Sequence, residues 1–548
     1  MVFIILNTRG RLCPAPEGRG YMKIMVFIIP LIINAKPVEF SGSFSIYAEY
    51  DTLYNADQKR PSRITRLYLN PELKIYGMPL SLNILLSTEE SSLRQELNKY
   101  RIFLSPSELL KGALPLPSLA FSISGIEIGR CYPSYSKFTL YSTPITGFSV
   151  EMNPGPIYIA GTGGVVNRAV PGSDSSEVSY KRTLYAGRFG IGKKEKTHLF
   201  FTLLYAKDDE NSIEPYLIPY EDDSLELITP RENYIAGVEL NLSLFNERFK
   251  LKAEIEGSQF TDDIRTPEIS QLKLPPWLTK YTHPKLSSSF GTAYKTQFSI
   301  DLKITELEFG FERVEPSYRS LGNEYLRNDE QRIEATANQQ FWEGILYLSE
   351  GVSISQDNLS GFNSYTTRFY EYNTEMGINI PNLPYLDINY TLYINKGEES
   401  IKENLLSLSS WYNFKIKGID FSPSLFYTFQ LNDSYTSNSL TLGQNVSFKL
   451  PLSFDIGVNW IDTKGKETST LTGYSGSFTY TFFKRWSNSV GGGITQKRDE
   501  RKREIWYSSS LDIGVFGNLE LRVENNVFSS KKEEYNELRI AGSLSKTW

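Results

Sequence analysis

The feature that most constrains this chain is a period-two alternation of apolar and polar side chains, repeated over segments about as long as a tilted membrane-crossing strand of roughly 9 to 11 residues. In one segment Val238, Leu240, Leu242 and Leu244 alternate with Gly237, Glu239, Asn241 and Ser243. The next sets Phe249, Leu251, Ala253 and Ile255 against Lys250, Lys252, Glu254 and Glu256. Further on, Leu386, Ile388, Tyr390, Leu392 and Ile394 alternate with Asp387, Asn389, Thr391, Tyr393 and Asn395. Near the end Leu519, Leu521, Val523 and Val527 alternate with Glu520, Arg522, Glu524 and Asn526. Successive side chains of a strand point to opposite faces, so each segment has one face for an apolar medium and one for water.

Alternation also builds soluble sandwiches, and the connections separate the two cases. Very short links, such as Phe516-Gly517-Asn518, Phe483-Lys484-Arg485-Trp486, Leu450-Pro451-Leu452, Phe341-Trp342-Glu343 and Phe245-Asn246-Glu247-Arg248-Phe249, fall between every second pair of strands. The intervening links are longer and charged: 531–534, 496–504, 462–468, 396–404, 315–329, 258–289 and 207–233. Aromatic residues crowd the short links, as rings do where they sit at a membrane interface. A soluble sandwich or propeller requires neither regularity. The pattern specifies an all-β, transmembrane, antiparallel up-and-down barrel, whose closure removes the strand edges that lipid leaves unsatisfied. Counting from Val38 to Trp548 gives about 26 strands, within an even range of 22–26. In residues 119–170 glycine and proline interrupt the pattern, and barrel strands and a lumenal hairpin both remain open there.

Composition excludes other classes. Mean hydropathy is −0.32, and after the first 35 residues no run approaches the roughly 18 apolar residues of a spanning helix. The net charge is −5, and the basic excess of residues 1–35 leaves −8 on the remainder, the wrong sign for neutralising phosphates, so no nucleic-acid partner is expected. Cys13 lies in the leader and Cys131 stands alone in the body, so no disulfide is expected. His198 and His283 are too few and too separated for a metal cluster, and no cofactor is expected.

From Met22 the chain carries a basic residue, Lys23, an apolar core from Ile24 to Ile33, and Ala35 as the residue before a cut, so 22–35 reads as a signal peptide and 36–548 as a single barrel domain. Residues 1–21 fit no such scheme. Their end, Glu17-Gly18-Arg19-Gly20-Tyr21, is encoded by purine-rich codons where a ribosome-binding site precedes a start codon, so 1–21 is read as a misassigned start. Coding DNA without a GGAGG-like stretch there contradicts this.

In the last segment Leu538, Ile540, Gly542, Leu544 and Lys546 share one face, Arg539, Ala541, Ser543, Ser545 and Thr547 the other, and the chain ends at Trp548. This resembles the C-terminal assembly signal of outer-membrane proteins, carried here by Ile540, Leu544 and Trp548. The resemblance implies recognition by the outer-membrane barrel assembly machinery. Lys546 stands where an apolar residue is usual, and its stem can snorkel to the interface. Residues 38–548 resemble porin-like barrels by architecture, without the motifs of a named family. That resemblance implies an integral place in the bacterial outer membrane, contact with its lipids, and both chain ends in the periplasm. A short helix is expected on the periplasmic side at 105–112, with Ser105 as cap, Pro106 at the first position, Glu108 completing a capping box and Gly112 ending it.

Signs of catalysis are weak, and no enzymatic activity is expected. Barrel hydrolases and acyltransferases use Ser and His near the external rim, whereas His198 lies by a short turn at the other end. His283 has Ser287 to Ser289 nearby, and a triad there needs an acid such as Asp262 brought close. The runs Gly161-Thr162-Gly163-Gly164 and Gly491-Gly492-Gly493 lead into no helix with the Lys-Ser/Thr of a phosphate loop and read as strand glycines. Asp208-Asp209 and Glu221-Asp222-Asp223 read as a solvated loop face in preference to a calcium site.

A barrel well beyond the roughly 16 to 18 strands of porins holds an aqueous lumen unless something fills it. Inward positions Glu239, Lys252, Glu254, Asp387, Asp455, Asp512 and Arg522 are the pore-lining candidates, and their mixed signs imply weak ion selectivity. In the segment 129–137, Arg130, Tyr132 and Lys137 form a constriction if it folds inward; an ordinary external loop is the competing reading. The first functional reading is an outer-membrane channel passing solutes. The alternative is an export or assembly barrel delivering lipid, polysaccharide or protein outward with a periplasmic partner. For that, the strand count resembles the lipopolysaccharide insertase, whose N-terminal domain and paired cysteines have no counterpart here. A TonB-dependent receptor fits less well, because strand one follows the signal closely and leaves no room for a plug. The sequence sets no oligomeric state.

Overall fold

The computed structural model describes residues 38–548 except 56–60, 90–95, 109–121, 173–177, 220–224, 270–281, 399, 466–467 and 532. The expected signal peptide and misassigned start lie outside the described residues. Twenty-six antiparallel strands, from Val38–Tyr54 to Glu534–Thr547, each pair with their chain neighbours. The first strand then pairs with the last in a register running from Ser43↔Thr547 to Tyr54↔Asn536, and the sheet closes. Gly42 and Trp548 extend that seam by exchanging backbone hydrogen bonds of 3.1 and 3.0 Å. Closure satisfies the ladder groups of every strand, which is what lets β-structure lie in hydrocarbon. Among the described residues there are three further short strands: Leu217–Pro219 pairs with Leu225–Leu227 in a loop, and Phe414–Ile416 pairs with the start of Ile419–Asn432.

Register fixes which residues share a face, because directly paired residues lie side by side. On one face stand exposed large apolar groups such as Phe201, Leu203, Phe454, Ile456 and Trp460. Rings meet across strands there, Phe189 on Phe201 at 5.5 Å and Phe298 on Phe309 at 4.8 Å. This is the lipid-facing outside. The other face carries His198, Glu239, Glu254 and Glu256, and looks into the lumen.

The start of the first strand, Val38, and the end of the last, Thr547, lie on one rim with the short turns, the periplasmic rim, and the longer loops lie on the other. The turns are tight enough to impose unusual backbone: Phe483 and Lys484 take φ of 51° and 60°, the paired left-handed geometry that matches the twist of a hairpin. Residues 119–170 contribute strands Ile123–Cys131, Ile145–Met152 and Ile157–Asn167 to the wall, not a lumenal hairpin. Glycine breaks the alternation there because strands approach closely: a Cβ on Gly147 would sit 2.0 Å from the Gly163 carbonyl oxygen. Of the helix expected at 105–112, the described part is a single 3-10 turn, Pro106–Glu108. The Ser105 hydroxyl donates to the Ser124 carbonyl (2.8 Å) instead of capping that turn, and 109–112 lies outside the described residues.

Candidate functional site

Among the described residues, the packed interior is gathered against one side of the lumen. Two connections from the loop rim, 132–144 and 315–329, turn inward and pack on the lumen face of strands Ile145–Met152 through Thr305–Val314. Tyr135 and Leu140 from the first loop and Leu321 from the second join Tyr158, Leu184, Phe200 and Ile235 of the wall in one apolar cluster. Phe138 and Tyr318 join Ala293 and Val314 in another.

Polar contacts hold the loops in place. The Tyr318 hydroxyl shares its proton between the Phe138 carbonyl (3.0 Å) and the Glu256 carboxylate (3.1 Å), and Ser136 donates to the same carboxylate (2.7 Å). Burial, with the Glu256 charge beside it, pushes the Tyr318 pKa well above the usual phenol range and keeps it a donor. Ser320 donates to the Thr139 carbonyl (2.5 Å), Asn323 to the Lys137 carbonyl (2.7 Å), and the Leu321 backbone to Asn233 of the wall (3.0 Å). Arg182 pairs with Asp208 (2.7 Å) and reaches Glu324 of the second loop. Arg188 donates to the Tyr135 carbonyl (2.7 Å) and to Glu239 (2.7 Å), which also contacts His198 Nε2 (2.8 Å); the His198 ring stacks on Phe200 at 4.0 Å.

The candidate constriction is divided by this arrangement. Arg130 is buried against Thr146 (3.1 Å), on the strand face it shares with Ile128 and Phe148, away from the lumen. Tyr132 is exposed and takes a 3.4 Å contact from Lys99. Lys137 enters the lumen and pairs with Glu312 (2.5 Å), which also faces Lys295 (3.7 Å). Lys137, Lys252, Glu254, Lys295 and Glu312 line a cleft of about 870 Å³ between the loops and the wall. Of the pore-lining candidates, Glu239 is sealed beneath the loops, while Lys252 and Glu254 border the cleft. Asp387 lies close to the periplasmic rim opposite Ser409. Asp455 accepts from Asn445 (2.6 Å) and Ser477 (3.1 Å), and Asp512 accepts from the Gly514 backbone (2.7 Å) in a turn. Arg522 pairs with Glu524 (3.1 Å) and lies 5.5 Å over the Trp506 ring.

At the seam, Ile540 and Leu544 share the outer face with Trp548, whose ring stacks on Phe40 at 5.7 Å. Lys546 shares that face and reaches back to the Val515 carbonyl of a periplasmic turn. Among the described residues no relay forms near His283: it lies 3.8 Å from Glu268, Asp262 pairs with Arg319, and Ser287 donates to the Asp263 carbonyl. Among the described residues no three His, Cys, Asp or Glu side chains gather as metal ligands.

Sequence reading missed Arg188, Tyr318, Ser320 and Asn323, and gave His198 no role. Their partners lie far away in the chain; the local sign was the turn-forming run Ser320-Leu321-Gly322-Asn323 within a long loop.

A closed antiparallel barrel with an apolar outside and a polar inside is an integral protein of the bacterial outer membrane. No protein-family model and no curated protein matches the sequence. Solved structures with a similar barrel include the translocation pore of the P pilus usher PapC, with 10% identity, a TM-score of 0.36, and 93% of this chain and 100% of that one covered. The siderophore receptor PirA from Pseudomonas aeruginosa gives 10% identity, a TM-score of 0.40, and coverage of 93% and 80%. OccK9 (OpdG) from Pseudomonas aeruginosa gives 14% identity, a TM-score of 0.28, and coverage of 67% and 98%.

Proposed function

We propose that this protein is an outer-membrane channel that lets solutes cross through the part of the lumen its inward loops leave free. One observation carries the reading: among the described residues, the inward loops pack against one side of the lumen. Side chains on that side are sealed, Arg188 at 3% exposure and Glu239 at 7%. On the opposite side, the described residues of strands Ile419–Asn432 through Glu500–Asp512 include no buried side chain. A lumen face that is polar and packed against nothing is stable where water lies beside it. Asp455 stands on that side and Arg522 on the next strand, Asn518–Ser530, each with a polar partner, which fits weak ion selectivity.

Proteoliposomes loaded with an impermeant polymer and diluted into isotonic glucose test this. Swelling at a rate proportional to the protein content supports the channel. Liposomes that hold folded barrel and do not swell overturn it.

A further inference from the structure

The free side of the lumen has a chemistry of its own. Paired residues across four successive strands, Tyr435–Ser447, Leu452–Gly465, Ser469–Phe482 and Trp486–Lys497, run Thr441↔Asn459, Gly457↔Ser475, Ser477↔Gly491 and Thr479↔Ser489. Hydroxyls bond one another along this face: Thr479 with Ser489 (2.8 Å) and Ser437 with Thr463 (3.2 Å). Between its rims the face carries one charge, Asp455, already holding two donors, and one apolar pair, Ile461↔Leu471, toward the loop rim. The small residues do not reflect general composition, because the lipid face of the same strands carries Phe454, Ile456, Trp460, Tyr474 and Phe478. Alternation places the hydroxyls inside and the rings outside.

We infer that the solute this channel conducts is an uncharged, polyhydroxylated one, a neutral oligosaccharide, and that it travels along this serine-, threonine- and glycine-lined wall. The inference rests on the channel reading and adds the cargo and its path. A hydroxyl both donates and accepts, so a wall of hydroxyls exchanges bonds with water and with a sugar on equal terms. A solute sliding past it leaves no buried group unpaired, and at Gly491 the missing side chain makes room for the Trp506 indole of the next strand. Along this wall an ion meets a single charge between the rims, Asp455, which already holds Asn445 and Ser477. An unfolded polypeptide, with mixed charged and apolar side chains, finds along this wall neither a row of counter-charges nor an extended apolar strip.

The test uses the purified full chain in planar bilayers and liposomes, with maltohexaose and a glutamate hexamer as probes. First, the wild-type conductance is recorded; if there is none, the channel reading itself fails. Given a conductance, maltohexaose is expected to enter liposomes several-fold faster than the glutamate hexamer, and equal or reversed rates overturn the cargo. The path is tested in Ser477→Cys and Ser489→Cys proteins labelled with a bulky thiol reagent after reconstitution, each compared with itself before labelling. Labelled wild type is the control, because Cys131 is fully buried. A several-fold fall in sugar flux and conductance on labelling supports the path. Unchanged flux through labelled protein places the route elsewhere and overturns it.

Discussion

Arg188 donates a 2.7 Å hydrogen bond to Glu239 from the neighbouring part of the wall, and its other terminal nitrogen holds the Tyr135 carbonyl of the inward loop. One guanidinium thus ties a buried charge to the position of that loop. Replacing Arg188 by Met leaves Glu239 with His198 alone. Removing one partner of a buried pair costs about 3–5 kcal/mol, so the urea midpoint of the refolded protein is expected to fall accordingly. Bilayer current is expected to become noisier as residues 132–144 loosen. An unchanged midpoint contradicts this role.

Tyr318 joins the two inward loops through its bonds to the Phe138 carbonyl and Glu256. Tyr318→Phe keeps the ring in its cluster and removes the hydroxyl, at a cost of about 1–3 kcal/mol for buried acceptors left short of a donor. The expected readout is faster trypsin cleavage after Arg319 and Arg327, in the loop that Tyr318 anchors. Cleavage at the wild-type rate contradicts this.

The closing seam distinguishes Trp548 from Lys546. Trp548→Ala loses the stack on Phe40, worth about 0.5–1.5 kcal/mol beyond the area it buries, so the folded, heat-modifiable fraction on gels is expected to drop. Lys546→Leu loses one contact at the exposed rim, to the Val515 carbonyl, and gains apolar surface on the lipid face. It is expected to assemble as well as wild type. The reverse order of the two variants refutes this reading of the seam.

In the loop 262–287 the Arg265 guanidinium, bonded to Asp263 at 2.8 Å, holds the Asp263 carboxyl below its usual range. A depressed folded pKa contributes stability above the unfolded value and loses it as pH falls through the folded value. Protection of the 263–266 amides, measured against their intrinsic exchange rate at each pH, is expected to fall below about pH 4, and Asp263→Asn to show that lower protection at neutral pH. A wild-type profile flat into acid contradicts it.

Much of the fold was legible because it is local. Alternation around Val238 and Phe249, the short turns at 245–249 and 483–486, and the closing segment at Trp548 each follow from residues a few positions apart. The 26-strand count follows from repeating that reading along the chain. The inward loops were not legible, because what decides them is long range: Tyr318 meets Phe138 180 residues away, and Arg182 meets Glu324 142 residues away. The segment 129–137 carried mixed basic and aromatic residues that left an inward fold and an external loop both open; Lys137 enters the lumen, while Arg130 shares the face of Ile128 and Phe148. Gly129 lies before Arg130 with φ of 98°, a turn of the backbone that the alternation rule does not anticipate. The hydroxyl wall was visible as alternation but not as a surface, since its residues come together only when Ser475, Ser489 and Thr441 are brought into register.

The most direct test of the account is the single-channel conductance of the purified, refolded wild-type protein in a planar bilayer. With the inward loops packed against one side, a steady conductance with weak ion selectivity is expected. A barrel that is correctly folded by heat modifiability and carries no current contradicts it, because the hydroxyl wall then borders no continuous water.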